Sequence, residues 1–321
     1  MMMMMMAQSA GIKKSKQWFT SMIRPVMILV IHVLALTVVQ PRQHTPAFVL
    51  NNIDADSQDA RQVMGPDANH NQLPFISALD TARADFAVPV YTTCSAPGSF
   101  ALTFDDGPSE FSSNLDGTLD GSNSKASFFI NGNNFGCIYD YAERLVDRFN
   151  KGHLIASHTW SHVHSNEGTY DQIAFQLELI ENAMIKILGV KPLYFRPPYG
   201  EYNEVVLQVL QDRGYRGLIL WSEDSGDSLE APPSSSEIIE SYRSYPDQTN
   251  VLNHETQSST VNEVIPNVIP ILKDKGYDLQ TVPHCLNLGS NPSDWYVSVQ
   301  PPGSRDETWT CDGTPMPGSF E

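Results

Sequence analysis

"TFDDGP", residues 103–108, sets two carboxylates side by side, Asp105 and Asp106, at the end of a short apolar run. Residues 99–104 read as a buried strand, and the Gly-Pro that follows opens a loop. Adjacent like charges raise each other's free energy unless something neutralises them. A strand that delivers such a pair to its C-terminal end calls for a cation, a counter-charge, or both.

The same texture recurs outward from that stretch. Short apolar runs predict strands over 99–104, 126–130, 153–157, 193–196, 216–221, 250–253 and 278–282. Amphipathic stretches between them predict helices over 139–150, 170–188, 203–213, 235–243 and 260–275. In 170–188, Ile173, Leu177, Ile180, Met184 and Ile187 recur at helical spacing. Strand–helix alternation implies an α/β fold with a mostly parallel sheet, open or closed into a barrel. Catalytic groups in such folds gather at the C-terminal ends of the strands.

Four more polar clusters end strands of this set. "SHTWSH", 157–162, spaces His158 and His162 four residues apart. Two imidazoles and a carboxylate make three protein ligands and leave a position for water on zinc. Alone, the pair reads equally as surface or capping histidines; the nearby Asp pair favours the metal. His164 is spaced less well and reads as a surface residue. "FRPPYG", 195–200, offers Arg196 as a charge-assisted partner for one aspartate. Its prolines stiffen a turn in which the Tyr199 N–H is a preorganised donor. "LWSEDSGDS", 220–228, carries Asp224 and Asp227, and "LNH", 252–254, ends in His254. A carboxylate beside a histidine raises its pKa and fixes its tautomer, so His254 with Asp227 reads as a general acid. Each cluster alone fits a plain turn, an N-cap or a loop histidine. Five in succession at five strand ends read as one site.

The 321 residues suffice for one large α/β domain with extensions. Net charge is −17; the first 42 residues hold five basic side chains and no acid, so the remainder sums to 15 − 37 = −22. That disfavours nucleic acid as a partner. It suits a neutral substrate or a cationic polymer, and equally serves solubility alone. Residues 1–42 read as a signal peptide or an uncleaved signal anchor: a basic lead precedes an apolar run, 25–39, shorter than the roughly 20 residues of a comfortable span. Membrane anchoring through that run therefore stays open. Residues 43–90 read as a linker or pro-like segment, 91–285 as the segment holding every motif, and 286–321 as an irregular C-terminal extension. Four cysteines, at 94, 137, 285 and 311, suit an oxidising compartment, which points to a secreted or cell-wall protein. Three pairings exist; Cys94 with Cys285 is favoured because the two bracket all the motifs.

In order over about residues 91–285, "TFDDGP", "HTWSH", "RPPYG", "DSGDS" and "LNH" resemble the polysaccharide deacetylase family, also called carbohydrate esterase family 4 or the NodB homology domain. The wider texture, "ASFFINGNNFG" and "IASHTWSH" among it, is most similar to fungal-type chitin deacetylases. The resemblance implies a distorted (β/α) barrel, usually of seven strands. It implies a divalent metal, zinc with cobalt as the alternative, held by Asp106, His158 and His162. Asp105 corresponds to the general base, oriented by Arg196. The Tyr199 N–H corresponds to the oxyanion donor, His254 to the general acid tuned by Asp227, and Leu252 to a wall of the acetyl pocket. One position departs from the pattern: Ser228 stands where the family usually has Trp, so Trp221 or Leu229 fills that wall or the pocket is wider.

The reaction so implied is metal-assisted hydrolysis of the N-acetyl groups of chitin or chito-oligomers, with acetylxylan and peptidoglycan as alternative substrates. Two histidines and a carboxylate also describe non-haem iron oxygenases, but those carry H-x-D on an all-β scaffold. A non-catalytic glycan-binding protein is the other class, and the intact acid, base and metal set argues against it.

Overall fold

A computed structural model describes residues 88–321. The leader, residues 1–42, and the linker up to residue 87 lie outside the described residues.

The organising element is β2, Ser99–Asp105, whose seven residues are all buried. A strand covered on both faces and paired on both edges is mostly apolar, as Phe100, Ala101, Leu102 and Phe104 are here; the buried polar Thr103 and Asp105 are the exceptions that face the site. On one edge β2 pairs in parallel with β3, Ser127–Ile130, and on the other with β9, Thr249–His254. The register sets Asp105 opposite His254 and Thr103 opposite Leu252. Backbone pairing alone thus brings the first and last motifs together.

The other strands are β1 Val90–Tyr91, β4 Leu154–Ser157, β5 Val190–Pro192, β6 Tyr194–Phe195, β7 Gly217–Ile219, β8 Glu223–Asp224, β10 Asp278–Leu279 and β11 Tyr296–Ser298. Nine of the eleven strands among the described residues form one parallel sheet in the order β1-β7-β6-β4-β3-β2-β9-β8, with β10 on the start of β2. This is a distorted (β/α) barrel. All seven expected strands belong to it. The two additions, β1 and β8, are two residues each, too short to show any alternation in sequence.

Helices run over α1 Ser112–Ser122, α2 Ala142–Asn150, α3 Tyr170–Leu188, α4 Glu204–Asp212, α5 Ser235–Ser244 and α6 Ile265–Asp274. Helix α3 matches its expected span because its ends are chemically marked. Thr169 and Gln172 form a capping box, and Gly189 ends the helix at φ 76°. Helix α1 has no counterpart among the expected helices. Its sequence, "SSNLDGTLDGS", contains two glycines and only two buried apolar residues, Leu115 and Leu119. Tertiary packing, not propensity, makes it helical. The stretch expected as one helix over 260–275 opens as a π-turn, Thr260–Val264.

Residues 286–321 are not simply irregular. β11 pairs antiparallel with β5, and Trp295 and Tyr296 are buried in the main core. Cys94 is disulfide-bonded to Cys285, as favoured from sequence, and Cys137 to Cys311. Among the described residues no helix is long and apolar enough to cross a membrane; the apolar run 25–39 lies outside them.

Candidate active site

Period-two alternation sorts the strands' side chains between two faces. Phe104 and Phe128 point to one side, with ring centroids 5.6 Å apart. Thr103, Asp105, Phe129 and Asn250 point to the other, where all four surround the buried guanidinium of Arg196. Arg196 Nη1 donates to Asp105 Oδ1 and to Thr103 Oγ1, both at 2.8 Å. Nη2 donates to Leu220 O at 2.9 Å and Asn250 Oδ1 at 3.2 Å, and Nε to Ile219 O at 3.2 Å. Among the described residues, the only charged partner in this shell is Asp105. Its Oδ2 accepts no hydrogen bond from the described residues and lies 3.8 Å from His158 Nε2.

Beyond β2 the chain turns sharply. Asp106 adopts φ 70°. Gly107 allows the close approach of Glu255: an added Cβ would fall 1.6 Å from Glu255 Oε1. Thr159 (φ 66°), His162 (φ 57°) and Tyr199 (φ 59°) are also left-handed. Such conformations cost on the order of 1–3 kcal/mol each outside glycine and persist where surroundings over-determine them. Asn131, just past β3, is one reason they persist. Its N–H donates to Gly107 O at 2.9 Å, and its Nδ2 donates to His158 O and Thr159 O. It thereby ties the Asp106 loop to the histidine loop.

The three residues expected as metal ligands come together. Ligand atoms of Asp106, His158 and His162 all lie within 4.8 Å of one another. His158 Nδ1 sits 2.8 Å from Arg196 O, and a carbonyl only accepts, so Nδ1 carries the proton in the neutral ring. Nε2 therefore turns a lone pair inward, 3.5 Å from Asp106 Oδ1. His162 Nε2 is 3.1 Å from the same oxygen. Asp106 Oδ1 is nonetheless buried without a hydrogen bond. Burial opposes the Asp106 charge; positive charge beside it, whether on the imidazoles or on a cation they share with it, outweighs burial and holds the carboxyl well below the usual carboxylate range. A buried orphan oxygen facing an imidazole lone pair is a donor set that fits a divalent cation.

Across the site, His254 Nδ1 bonds Asp227 Oδ1 at 2.7 Å, and the His254 N–H donates to Asp227 Oδ2 at 2.8 Å. Thr260 Oγ1, in the π-turn, donates to the same Oδ2 at 2.7 Å. Burial works against the charged ring, but Asp227, with smaller help from Asp106 and Asp105, raises the His254 pKa to about 9. Nε2 is left facing the site. Ser228 Oγ lies 3.5 Å from it. Leu252, two residues before His254, shares its face and is buried.

Trp221 lies beside the site, its ring centroid 5.7 Å from Arg196 Cζ. It packs beneath the Pro198–Gly200 turn, where an added Cβ on Gly200 would fall 2.9 Å from its ring. Leu229 is 58% exposed. The Tyr199 ring is exposed too, stacked on His164 at 4.0 Å and edge-on to His162 at 4.7 Å. His164 is at the surface as expected, paired with Glu201 at 2.8 Å. Asp224 is exposed, and its Oδ1 accepts from the Gly226 N–H.

Sequence reasoning missed Thr103, Asn131, Asn250 and Thr260. Thr103 and Asn250 were within reach, because each stands two residues before a named site residue on the same strand face. Asn131 and Thr260 act through the backbone of one loop and through Asp227, and no spacing marks them.

The polysaccharide deacetylase family matches residues 93–218. A chitin deacetylase of Pestalotiopsis sp is 35% identical over 216 residues, covering 65% of this chain and 70% of that one. A probable peptidoglycan-N-acetylglucosamine deacetylase of Arthroderma benhamiae is 31% identical over 227 residues, covering 68% of this chain and 51% of that one. The chain thus spans between half and seven-tenths of these curated relatives. Among solved structures, the chitin deacetylase from the fungal pathogen Colletotrichum lindemuthianum aligns with a TM-score of 0.61 at 30% identity, covering 66% of this chain and 96% of that one. Sequence match and barrel agree: the chain belongs to the polysaccharide deacetylase family, as a hydrolase of carbon–nitrogen bonds.

Proposed function

We propose that this chain removes N-acetyl groups from N-acetylglucosamine residues of chitin or chito-oligomers, leaving acetate and a free amino sugar. The observation that carries this reading is the split of roles at one strand end. Asp105 has one oxygen held and one free, Asp106 joins two histidines, and His254 stands opposite with a raised pKa. The likeness to fungal chitin deacetylases supports the substrate. The likeness to a peptidoglycan-N-acetylglucosamine deacetylase keeps peptidoglycan as the second substrate to assay.

Asp106, His158 and His162 would hold a divalent cation, zinc before cobalt. When bound, it supplies Lewis-acid polarisation of the acetamide carbonyl and acidifies water. Asp105 Oδ2 accepts the proton of the attacking water, while Arg196 keeps Oδ1 fixed. The Tyr199 N–H donates to the carbonyl oxygen as it gains charge. His254 donates its Nε2 proton to the departing nitrogen, with Asp227 on Nδ1 holding the ring in place. Water's oxygen goes to the acyl carbon, the C–N bond breaks, and the nitrogen leaves as an amine. Leu252 contacts the acetyl methyl, and Ser228 leaves the neighbouring wall open. Two disulfides, and the leader expected over residues 1–42, support action outside the cell or in its wall.

The test is acetate release from chito-oligosaccharides and from peptidoglycan, with chelator and with zinc restored. Release from chito-oligosaccharides that chelator abolishes and zinc restores is the expected result. Faster release from peptidoglycan would replace the substrate; no acetate from either would sink the reading.

A further inference from the structure

The last residues of the chain lie beyond the family match and carry no motif, yet they run along the loop that bears both histidines. Trp160 Nε1 donates to Thr314 Oγ1 at 3.0 Å. The Gly318 N–H donates to Ser161 O at 2.6 Å, and Ser161 Oγ donates back to Ser319 O at 2.5 Å. Gln176 Nε2, from α3, donates to the same carbonyl at 3.1 Å. Asn133 Nδ2 donates to Pro315 O at 3.0 Å. The segment is anchored at its start by the Cys137–Cys311 disulfide. Near its end Phe320 packs beside Gly168, 2.7 Å from where a Cβ would stand.

Three of these contacts fall on Trp160 and Ser161, two of the three residues between the ligands. His158 and His162 flank Thr159, Trp160 and Ser161; Trp160 and Ser161 are buried, and left-handed Thr159 and His162 bend the loop back on itself. The loop has no regular hydrogen-bond ladder of its own. On its inner side it is held by Asn131 and by Gly132, where an added Cβ would fall 1.9 Å from the Trp160 ring. On its outer side the partners of Trp160 Nε1 and Ser161 O come from residues 314–319, and Ser161 Oγ lies within reach of both Ser319 O and Gln176 Oε1 of α3, which also accepts from the Ser161 N–H. Ligand orientation depends on such supporting hydrogen bonds as much as on the ligands themselves.

We propose that residues 311–320 form a strap that holds the His158–His162 loop in its metal-binding geometry. The C-terminal segment is then a positioning element of the metal site, although it supplies no ligand. The proposal rests on the metal reading of Asp106, His158 and His162 given above.

The test compares the full chain with one ending at Asp312 and with full-length Thr314→Val, both of which keep Cys137 and Cys311. Zinc affinity is read by competition with a chromophoric chelator, and backbone amide exchange over 158–163 is read in metal-free protein. The shortened chain is expected to bind zinc about 10-fold or more weakly. Its loop amides exchange faster, while those of β2 and β9 do not change. Thr314→Val moves both readouts in the same direction by less. Unchanged affinity and loop exchange overturn the strap, as does acceleration spread evenly over the barrel, which would make the segment a general stabiliser. If the shortened chain fails to fold, Thr314→Val decides by the same two readouts. If the full chain binds no zinc, the metal reading fails, and loop exchange alone still decides the strap.

Discussion

Arg196 and Arg148 are both fully buried, and both lie over a phenylalanine of β3. Arg196 is 4.0 Å from the Phe129 ring centroid and Arg148 is 3.7 Å from that of Phe128, so they occupy opposite faces of one strand. On the helix side, Arg148 meets two carboxylates. Nη1 and Nη2 donate to the two oxygens of Glu255 at 3.0 and 2.6 Å, and Nε to Asp116 Oδ1 at 2.7 Å. Ser112 Oγ also donates to Glu255, and Arg144 to Asp116. On the barrel side, Arg196 meets one carboxylate through one oxygen, and otherwise only neutral acceptors. Burial penalises both guanidinium charges. Two acids outweigh it and raise the pKa of Arg148, whereas at Arg196 burial prevails over Asp105 and lowers it. The difference separates structure from chemistry. Glu255 has both oxygens held by Arg148, and Oε2 by Ser112 as well. Asp105 is held just enough to be oriented, and its second oxygen stays free.

The largest expected effect is on the barrel side. Asp105→Asn should lower kcat by about 10²- to 10⁴-fold while the protein still carries metal, and Asp106→Asn should lose the metal. Metal content and turnover of the two purified variants check this; metal lost from the first and kept by the second would exchange their roles.

On the helix side the effect should be on stability. Arg148→Met leaves Glu255 and Asp116 buried without their shared cation, a loss of about 3–5 kcal/mol. Denaturant unfolding measures it, and turnover of the folded protein at low temperature should suffer far less than in Asp105→Asn. Equal losses of turnover in both would erase the distinction between the two faces.

The third effect concerns protonation. If His254 is the general acid proposed above, activity requires its charged form and should fall as pH rises through about 9. Asp227→Asn removes the chief cause that raises this pKa and leaves burial, which lowers it. The alkaline limb of kcat should move down by more than about one pH unit. A limb that stays in place would assign it to another group.

The smallest effect is at Ser228. Ser228→Trp adds apolar contact near His254 and should sharpen preference for N-acetyl over N-propionyl chito-oligomers by about 1–3 kcal/mol at most. The ratio of kcat/KM values reads it. An unchanged ratio with full activity would show that residue 228 does not face the acyl group.

The strands were legible because buried parallel strands are continuous apolar runs, and the motifs were legible because each follows such a run directly. Helix α3 was legible to the residue because Thr169, Gln172 and Gly189 mark its ends. Helix α1 was not, since "SSNLDGTLDGS" carries almost no period and is helical only through what it packs against. The π-turn at Thr260 was hidden inside a good helical pattern, and it exists where a side chain must reach Asp227.

Sequence by itself determined which residue types stand at the strand ends: two aspartates, paired histidines, an arginine, and a histidine with a distant acid. It also favoured the Cys94–Cys285 pair. The tertiary structure alone decided which oxygen of Asp105 is free, that Asn131 ties two loops together, and that Arg148 answers Glu255 and not a site residue. It alone brought residues 311–320 against the histidine loop. The reason is physical. Burial and periodicity are written in side-chain type, residue by residue, whereas these contacts pair groups far apart in the chain, many of them through backbone N–H and C=O, which every non-proline residue carries alike.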